Sequence, residues 1–184
     1  MSENGAILSL YDISEDKSSC GVGFITRKDS VQTHDVLIRG HEALCAVPHR
    51  GGMSAEGVGD GAGISVDLSL SYFRSLTARP DLAPGRFGVG NFFLPNDPAK
   101  HAVAADIIEQ MLADQGLPVL LVRDIPVDNT AIRPVAERYQ LPIRQWVFAA
   151  PDDCATAAEF DWRIHKGLLA IEAVAYTDPA LAGF

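Results

Sequence analysis

Hydrophobic positions change period several times along the chain, and each change marks an expected element. After the polar run Ser14 to Ser19, Val22 and Phe24 alternate with glycines in Cys20-Gly21-Val22-Gly23-Phe24-Ile25 before Arg27-Lys28-Asp29. That pattern predicts a short buried strand with Cys20 at its start. Thr33 then caps a helix running to Val47, with Leu37, Ile38, Leu44 and Cys45 on one stripe and Pro48 as its stop. A glycine-dense loop, Gly51 to Gly63, leads into the alternating Ile64-Ser65-Val66-Asp67, read as a second strand. So many glycines imply positive φ or close backbone approach.

Further strands are expected at Phe87 to Leu94, Val119 to Ile125 and Ile143 to Ala149. The clearest helix lies between the first two. Asp97 caps it, Pro98 takes its first position, Val103, Ile107, Ile108, Met111 and Leu112 form its apolar face, and Gly116 with Pro118 ends it. A short helix starts near Pro134, and Thr156 to Ala175 carries Phe160, Ile164, Leu168, Ile171 and Ala175 at helical spacing. Strands and helices interleave around one core, so the expected class is α+β, a mixed fold whose topology periodicity does not fix.

Composition narrows the function classes. The chain has 184 residues, 47% of them hydrophobic, enough for one domain with a sizeable core. Fifteen Lys plus Arg against 24 Asp plus Glu give a formal net charge of -9 without a basic block, which argues against nucleic acid as a partner. No apolar run reaches the roughly 18 to 20 residues of a membrane span. Residues 1–19 lack the basic start of a secretory signal, and three widely spaced cysteines, Cys20, Cys45 and Cys154, read as reduced thiols. A cytoplasmic protein away from membranes is the expectation.

Cys20 is the sharpest candidate for chemistry. A thiol flanked by glycine stays open to a substrate, and removal of residues 1–19 would give it a free α-amino group with a reference pKa of about 7.7 to 8.0, suited to a general base. The competing reading is a strand cysteine packed as a small hydrophobe. Arg50 could orient substrate or steady a thiolate, or equally hold the glycine-rich turn through loop carbonyls. Asp60, between glycines, fits turn architecture. The glycine loop precedes a strand and lacks a Walker lysine, which counts against nucleotide binding. His41, Cys45 and His49 fall at the four-residue spacing of helical metal ligands, but Pro48 interrupts the last interval and no metal site is expected.

Four motifs in register carry a resemblance. Cys20-Gly21-Val22-Gly23-Phe24-Ile25, then His34 with Ala43-Leu44, then His49-Arg50-Gly51, then Gly59-Asp60-Gly61-Ala62-Gly63-Ile64 look like the amino terminus of the class II glutamine amidotransferase domain of the glutamate synthase large subunit. The resemblance continues more weakly through Val89 to Pro95, Ile125 to Asp128 and Ile143 to Gln145, and spans residues 20 to about 175. It implies an Ntn-hydrolase-like four-layer α/β/β/α sandwich, incomplete in this chain. It also implies a propeptide-like leader at 1–19, an amidotransferase portion at 20–184, and Cys20 as the nucleophile that attacks the carboxamide of L-glutamine and releases ammonia and glutamate.

FMN and an iron-sulfur cluster belong to other domains of those enzymes, so no cofactor is expected here, while a partner chain or domain would complete the site. The chain departs from the family at Val58, where Thr is usual, and at Gly52, where Ala is common. The family's arginine-bearing segment for the substrate carboxylate and its Asn-Gly oxyanion pair are missing, and neither His165-Lys166-Gly167 nor Asp128-Asn129-Thr130 matches them. An oxyanion donor is typically worth about 10² to 10³ in rate. The alternative is therefore a non-catalytic amidotransferase-like subunit or fragment serving assembly or regulation.

Overall fold

The structure is a computed structural model that describes residues 21–47, 59 and 61–181. The chain divides into two compact units, Met1–Val66 and Asp67–Phe184.

In the first unit, α1 (His34–Cys45) follows the N-cap Thr33, as the stripe and cap predict. The two expected strands are absent. Gly21 to Thr26 and Ile64 to Asp67 have no regular structure, and Val22 and Phe24 stand 96% and 91% exposed. A strand is stable only when a neighbour accepts its hydrogen bonds and covers its apolar face, and among the described residues nothing does either for these segments. None of the described α1 residues is buried either, so Leu37 and Ile38 form a stripe without a counterpart among the described residues of this unit. Of the glycine-dense loop, Gly51, Gly52 and Gly57 lie outside the described residues, while Gly61 and Gly63 depart from the expectation. At Gly23, Gly61 and Gly63 an added Cβ would meet no atom within 4 Å, and none has positive φ.

The second unit carries a three-stranded sheet of β1 (Phe87–Phe93), β2 (Val119–Asp124) and β3 (Ile143–Ala149). Its order is β1-β3-β2, with β3 central and antiparallel to both neighbours. Leu120 is an extra residue in β2, where the register shifts between Val119 and Leu121. The helices are α2 (Leu70–Thr77), α3 (Pro98–Asp114), α4 (Pro134–Glu137) and α5 (Ala157–Thr177). Periodicity did not reveal α2, a two-turn helix capped by the Ser69 side chain and closed by Ala78 at φ 53°. It is too short for a full apolar repeat to show.

Alternation along β3 divides the core. Trp146 and Phe148 face one way, into a cluster with Ile108 and Leu112 of α3 and Phe160 and Ile171 of α5. Val147 faces the other way, with Phe87, Leu82 and Phe73 of α2. Trp146, Val147 and Phe160 are almost fully buried, each worth about 1.5–3 kcal/mol relative to exposure. β1 makes room for the aromatic residues: Gly88 pairs with Phe148 and Gly90 with Trp146. A Cβ at Gly88 would lie 2.5 Å from the Phe148 ring.

Helix ends follow the sequence closely. Asp97 accepts from the Lys100 N–H at 2.9 Å and Pro98 opens α3. Beyond its end, Gly116 at φ 65° donates to Ala113 and Leu117 donates to Leu112, the paired bonds that satisfy the last carbonyls. Thr156 and Glu159 form a reciprocal cap at the start of α5.

Candidate functional site

Cys20 and Arg50, the residues the sequence singles out for catalysis, lie outside the described residues, as do His49 and Asp60. The segment immediately after Cys20 is described. Arg27 donates from Nε and Nη2 to Asp29 at 2.9 and 2.5 Å, and the Val31 N–H donates to the same carboxylate at 3.2 Å. The guanidinium first, and that N–H second, hold the Asp29 carboxyl below its ordinary range. The result is a closed turn, Arg27 to Ser30, with Ser30 at φ 56° and its N–H donating to the Arg27 carbonyl.

Of the two cysteines whose surroundings are described, Cys154 is buried and Cys45 is exposed. Cys154 sits in the loop before α5, where its carbonyl accepts from Arg86 Nη1 at 2.5 Å while Nη2 donates to Pro151. That thiol is part of the packing. Cys45 Sγ lies 3.7 Å from His41 Nε2 on the surface of α1. The pair shows the helical spacing read from the sequence, yet no group of three or more metal-ligating side chains occurs among the described residues.

Asp128-Asn129-Thr130 is spent on local structure. Asp128 accepts from both the N–H and the hydroxyl of Thr130, and Asn129 accepts from Gln140 Nε2 at 2.7 Å. The Thr130 hydroxyl, then its N–H, lower the Asp128 carboxyl from its usual value. His165 stacks against Trp162 with ring centres 5.6 Å apart. A cleft of about 620 Å³ opens where β2 begins and β3 ends, lined by Leu117 to Leu120, Ala149 to Asp152, Arg79 and Glu109 among others. No cysteine, serine or threonine lines it.

One arrangement had no signal in the sequence. Asn91, Gln145 and Arg123 are cross-strand neighbours on β1, β3 and β2. Arg123 Nε donates to Gln145 Oε1 at 2.8 Å, and Gln145 Nε2 donates to Asn91 Oδ1 at 2.9 Å. The Arg123 guanidinium lies 5.7 Å from the centre of the Tyr72 ring on α2. Gln145 is 5% exposed, so this polar row crosses the sheet on the face that α2 shares with Val147. Its members are 22 and 54 residues apart in sequence, a separation no local pattern encodes.

Similarity to known proteins places these features. The chain is 35% identical over 169 residues to the ferredoxin-dependent glutamate synthase 1 of Arabidopsis thaliana, covering 89% of this chain and 10% of that protein. It is 33% identical over 157 residues to the ferredoxin-dependent glutamate synthase 2 of Synechocystis, 82% of this chain and 10% of the relative. The large chain of the Bacillus subtilis NADPH glutamate synthase matches at 28% identity over 158 residues, again 10% of its length. The chain thus spans about a tenth of the curated relatives it matches. The family described as class-II glutamine amidotransferases matches residues 20–170, which takes in β1, β2, β3 and most of α5. Arrived at through motif order, mixed architecture and this match together, the conclusion is that the chain belongs to the class-II glutamine amidotransferases.

Proposed function

We propose that this chain supplies the nucleophile of a glutamine amidotransferase site in a glutamate-synthase-like system, with Cys20 as the attacking residue. The observation that carries the reading is the boundary of the family match, which begins at residue 20 and leaves 1–19 outside it. Removal of that leader makes the Cys20 amine the amino terminus. An α-amino group, whose reference pKa is about 7.7 to 8.0, suits the base here, and it takes the thiol proton directly or through one water. The thiolate adds to the glutamine side-chain carbonyl, and the C–N bond breaks as the protonated amine returns its proton to the leaving ammonia. Water then cleaves the γ-glutamyl thioester, releasing glutamate and restoring the thiol.

Arg50 supports the site by holding the glycine-rich loop or by favouring the thiolate electrostatically. The four-layer sandwich is the architecture in which this chemistry would run, and the second unit's sheet with its helices is one part of it. The oxyanion donors and carboxylate grip come from a partner chain or domain. Exposed Val22, Phe24 and Val66, together with the uncrowded glycines at 23, 61 and 63, support that reading, because a complete site would cover them. FMN and iron-sulfur chemistry belong to such partners as well. Among the described residues no helix is long and apolar enough to cross a membrane, which is compatible with a cytoplasmic setting.

The same exposed residues favour a second reading, an amidotransferase-like assembly subunit without turnover. Intact mass of protein from its native host, before and after a glutamine-analogue electrophile, separates the two. A chain starting at Cys20 that gains one adduct, lost in Cys20→Ala, is the expected outcome. Retention of residues 1–19 with no labelling overturns the catalytic reading and leaves assembly.

A further inference from the structure

We propose that the outward face of α5 is a two-fold self-association surface whose occupant is a second copy of this chain. The inference is independent of the catalytic reading. α5 has two apolar faces. One packs into the core through Phe160, Ile164 and Ile171. The other carries Trp162, Leu169 and Tyr176, which are 59%, 50% and 89% exposed. These three recur every seven residues, so they lie in one line over about 21 Å of helix. Inward packing does not require them, and a soluble surface does not favour them.

The residues beside this line say what covers it. On one flank lie His165 and Glu172; on the other lie Lys166 and Ala173, all exposed. A two-fold axis perpendicular to α5 at Leu169 runs the helix antiparallel to its copy. Leu169 then meets the second copy's Leu169, and Trp162 meets its Tyr176. Each flank meets itself reversed, which places Glu172 against the second copy's His165 on one side and lays the Lys166 stem over its Ala173 on the other. Parallel pairing would instead set Lys166 against His165 and stack Trp162 on itself. The sequence of the face is thus complementary to its own reversal, as an isologous contact requires.

Two helices touching over about 20 Å bury less than the roughly 1,200–2,000 Å² of stable complexes, so the association is weak, in the micromolar range. Sedimentation of the full chain in reductant, across about 1 to 200 μM, is expected to show a monomer–dimer equilibrium of that strength. Leu169→Glu should raise the dissociation constant at least about tenfold with the circular dichroism spectrum unchanged, since a half-exposed leucine is not part of the core. His165→Glu should weaken the dimer by facing Glu172 with a like charge, and the double variant His165→Glu/Glu172→Lys should restore it. A monomer at every concentration overturns the proposal, as does a dimer indifferent to Leu169→Glu. Failure of the double variant to recover overturns the antiparallel register. A complex with a different polypeptide, released by Leu169→Glu, overturns the assignment of a second copy.

Discussion

Gln145 is where a single side-chain change tests the architecture most directly. It is 5% exposed, and its amide spans the sheet, accepting from Arg123 and donating to Asn91. In Gln145→Ala both partners lose their bond. A hydrogen bond to a charged group is worth about 1.5–3 kcal/mol and a neutral one about 1. Arg123 is half-buried and Asn91 exposed, so water recovers part of each, and the lower end applies to the pair. Adding about 0.8 kcal/mol for the one methylene lost, Cγ, brings the loss to about 2.3 kcal/mol.

For a chain of this size that corresponds to a fall in Tm of roughly 5–9 °C. Gln145→Glu behaves differently. Its carboxylate still accepts from Arg123, and Asn91 turns its amide so that the NH2 donates, so the cost stays below about 1 kcal/mol. Gln145→Leu keeps the volume but strands both partners, and falls between the two at about 2 kcal/mol. Urea unfolding followed by tryptophan fluorescence measures all three, because Trp146 is the next residue on the strand and wholly buried. If alanine costs less than about 0.5 kcal/mol, or glutamate costs as much as alanine, the row is not carrying the load assigned to it.

Two further outcomes follow from local geometry. In Gly88→Ala the new methyl meets the Phe148 ring at 2.5 and 2.8 Å and Ile164 Cδ1 at 3.1 Å, and overpacking of this kind costs about 1–3 kcal/mol; Gly61→Ala, with no atom within 4 Å, stays within about 0.5 kcal/mol in the same unfolding assay. The Arg79 fork, first among several causes, lowers the Asp81 carboxyl to about 2. Being depressed, it contributes stability above the unfolded value near 3.9 that is lost as pH falls toward 2. The pair is exposed, so the effect is slight; carboxyl-detected NMR should show the low midpoint and its return toward 3.9 in Arg79→Ala.

How much was legible in the sequence depended on whether a signal was local. β1, β2 and β3 fall within the three segments whose apolar residues predicted strands, and α3 and α5 carry caps whose side chains bond the backbone as their spacing implies. α2 escaped because eight residues give one buried position, Phe73. Gly21 to Thr26 and Ile64 to Asp67 have the alternation of strands but no partner strand among the described residues, and alternation describes a face without supplying what covers it. The Asn91, Gln145 and Arg123 row depends on sheet order, which periodicity leaves open. Cys20 lies outside the described residues, and the role proposed for it comes from motif order. Its neighbours Val22 and Phe24 project into solvent, so the chemistry assigned to it rests on sequence likeness rather than on a described cavity.

The strand order has a consequence for how the chain is made. β1 and β2 never touch; each bonds only to β3, the last of the three in sequence. A ribosome that has released residues through Asp124 has therefore delivered two strands of the second unit and its helices α2 and α3 with no ladder to join. Pairing waits for residues 143–149, and both ladders then close together around one template. Until that moment Phe87, Val89, Leu121 and Val122 are uncovered in the nascent chain, an interval in which a holdase would find them. The second unit gains its sheet in a single late event, with no two-stranded stage assembled earlier on the way out of the tunnel.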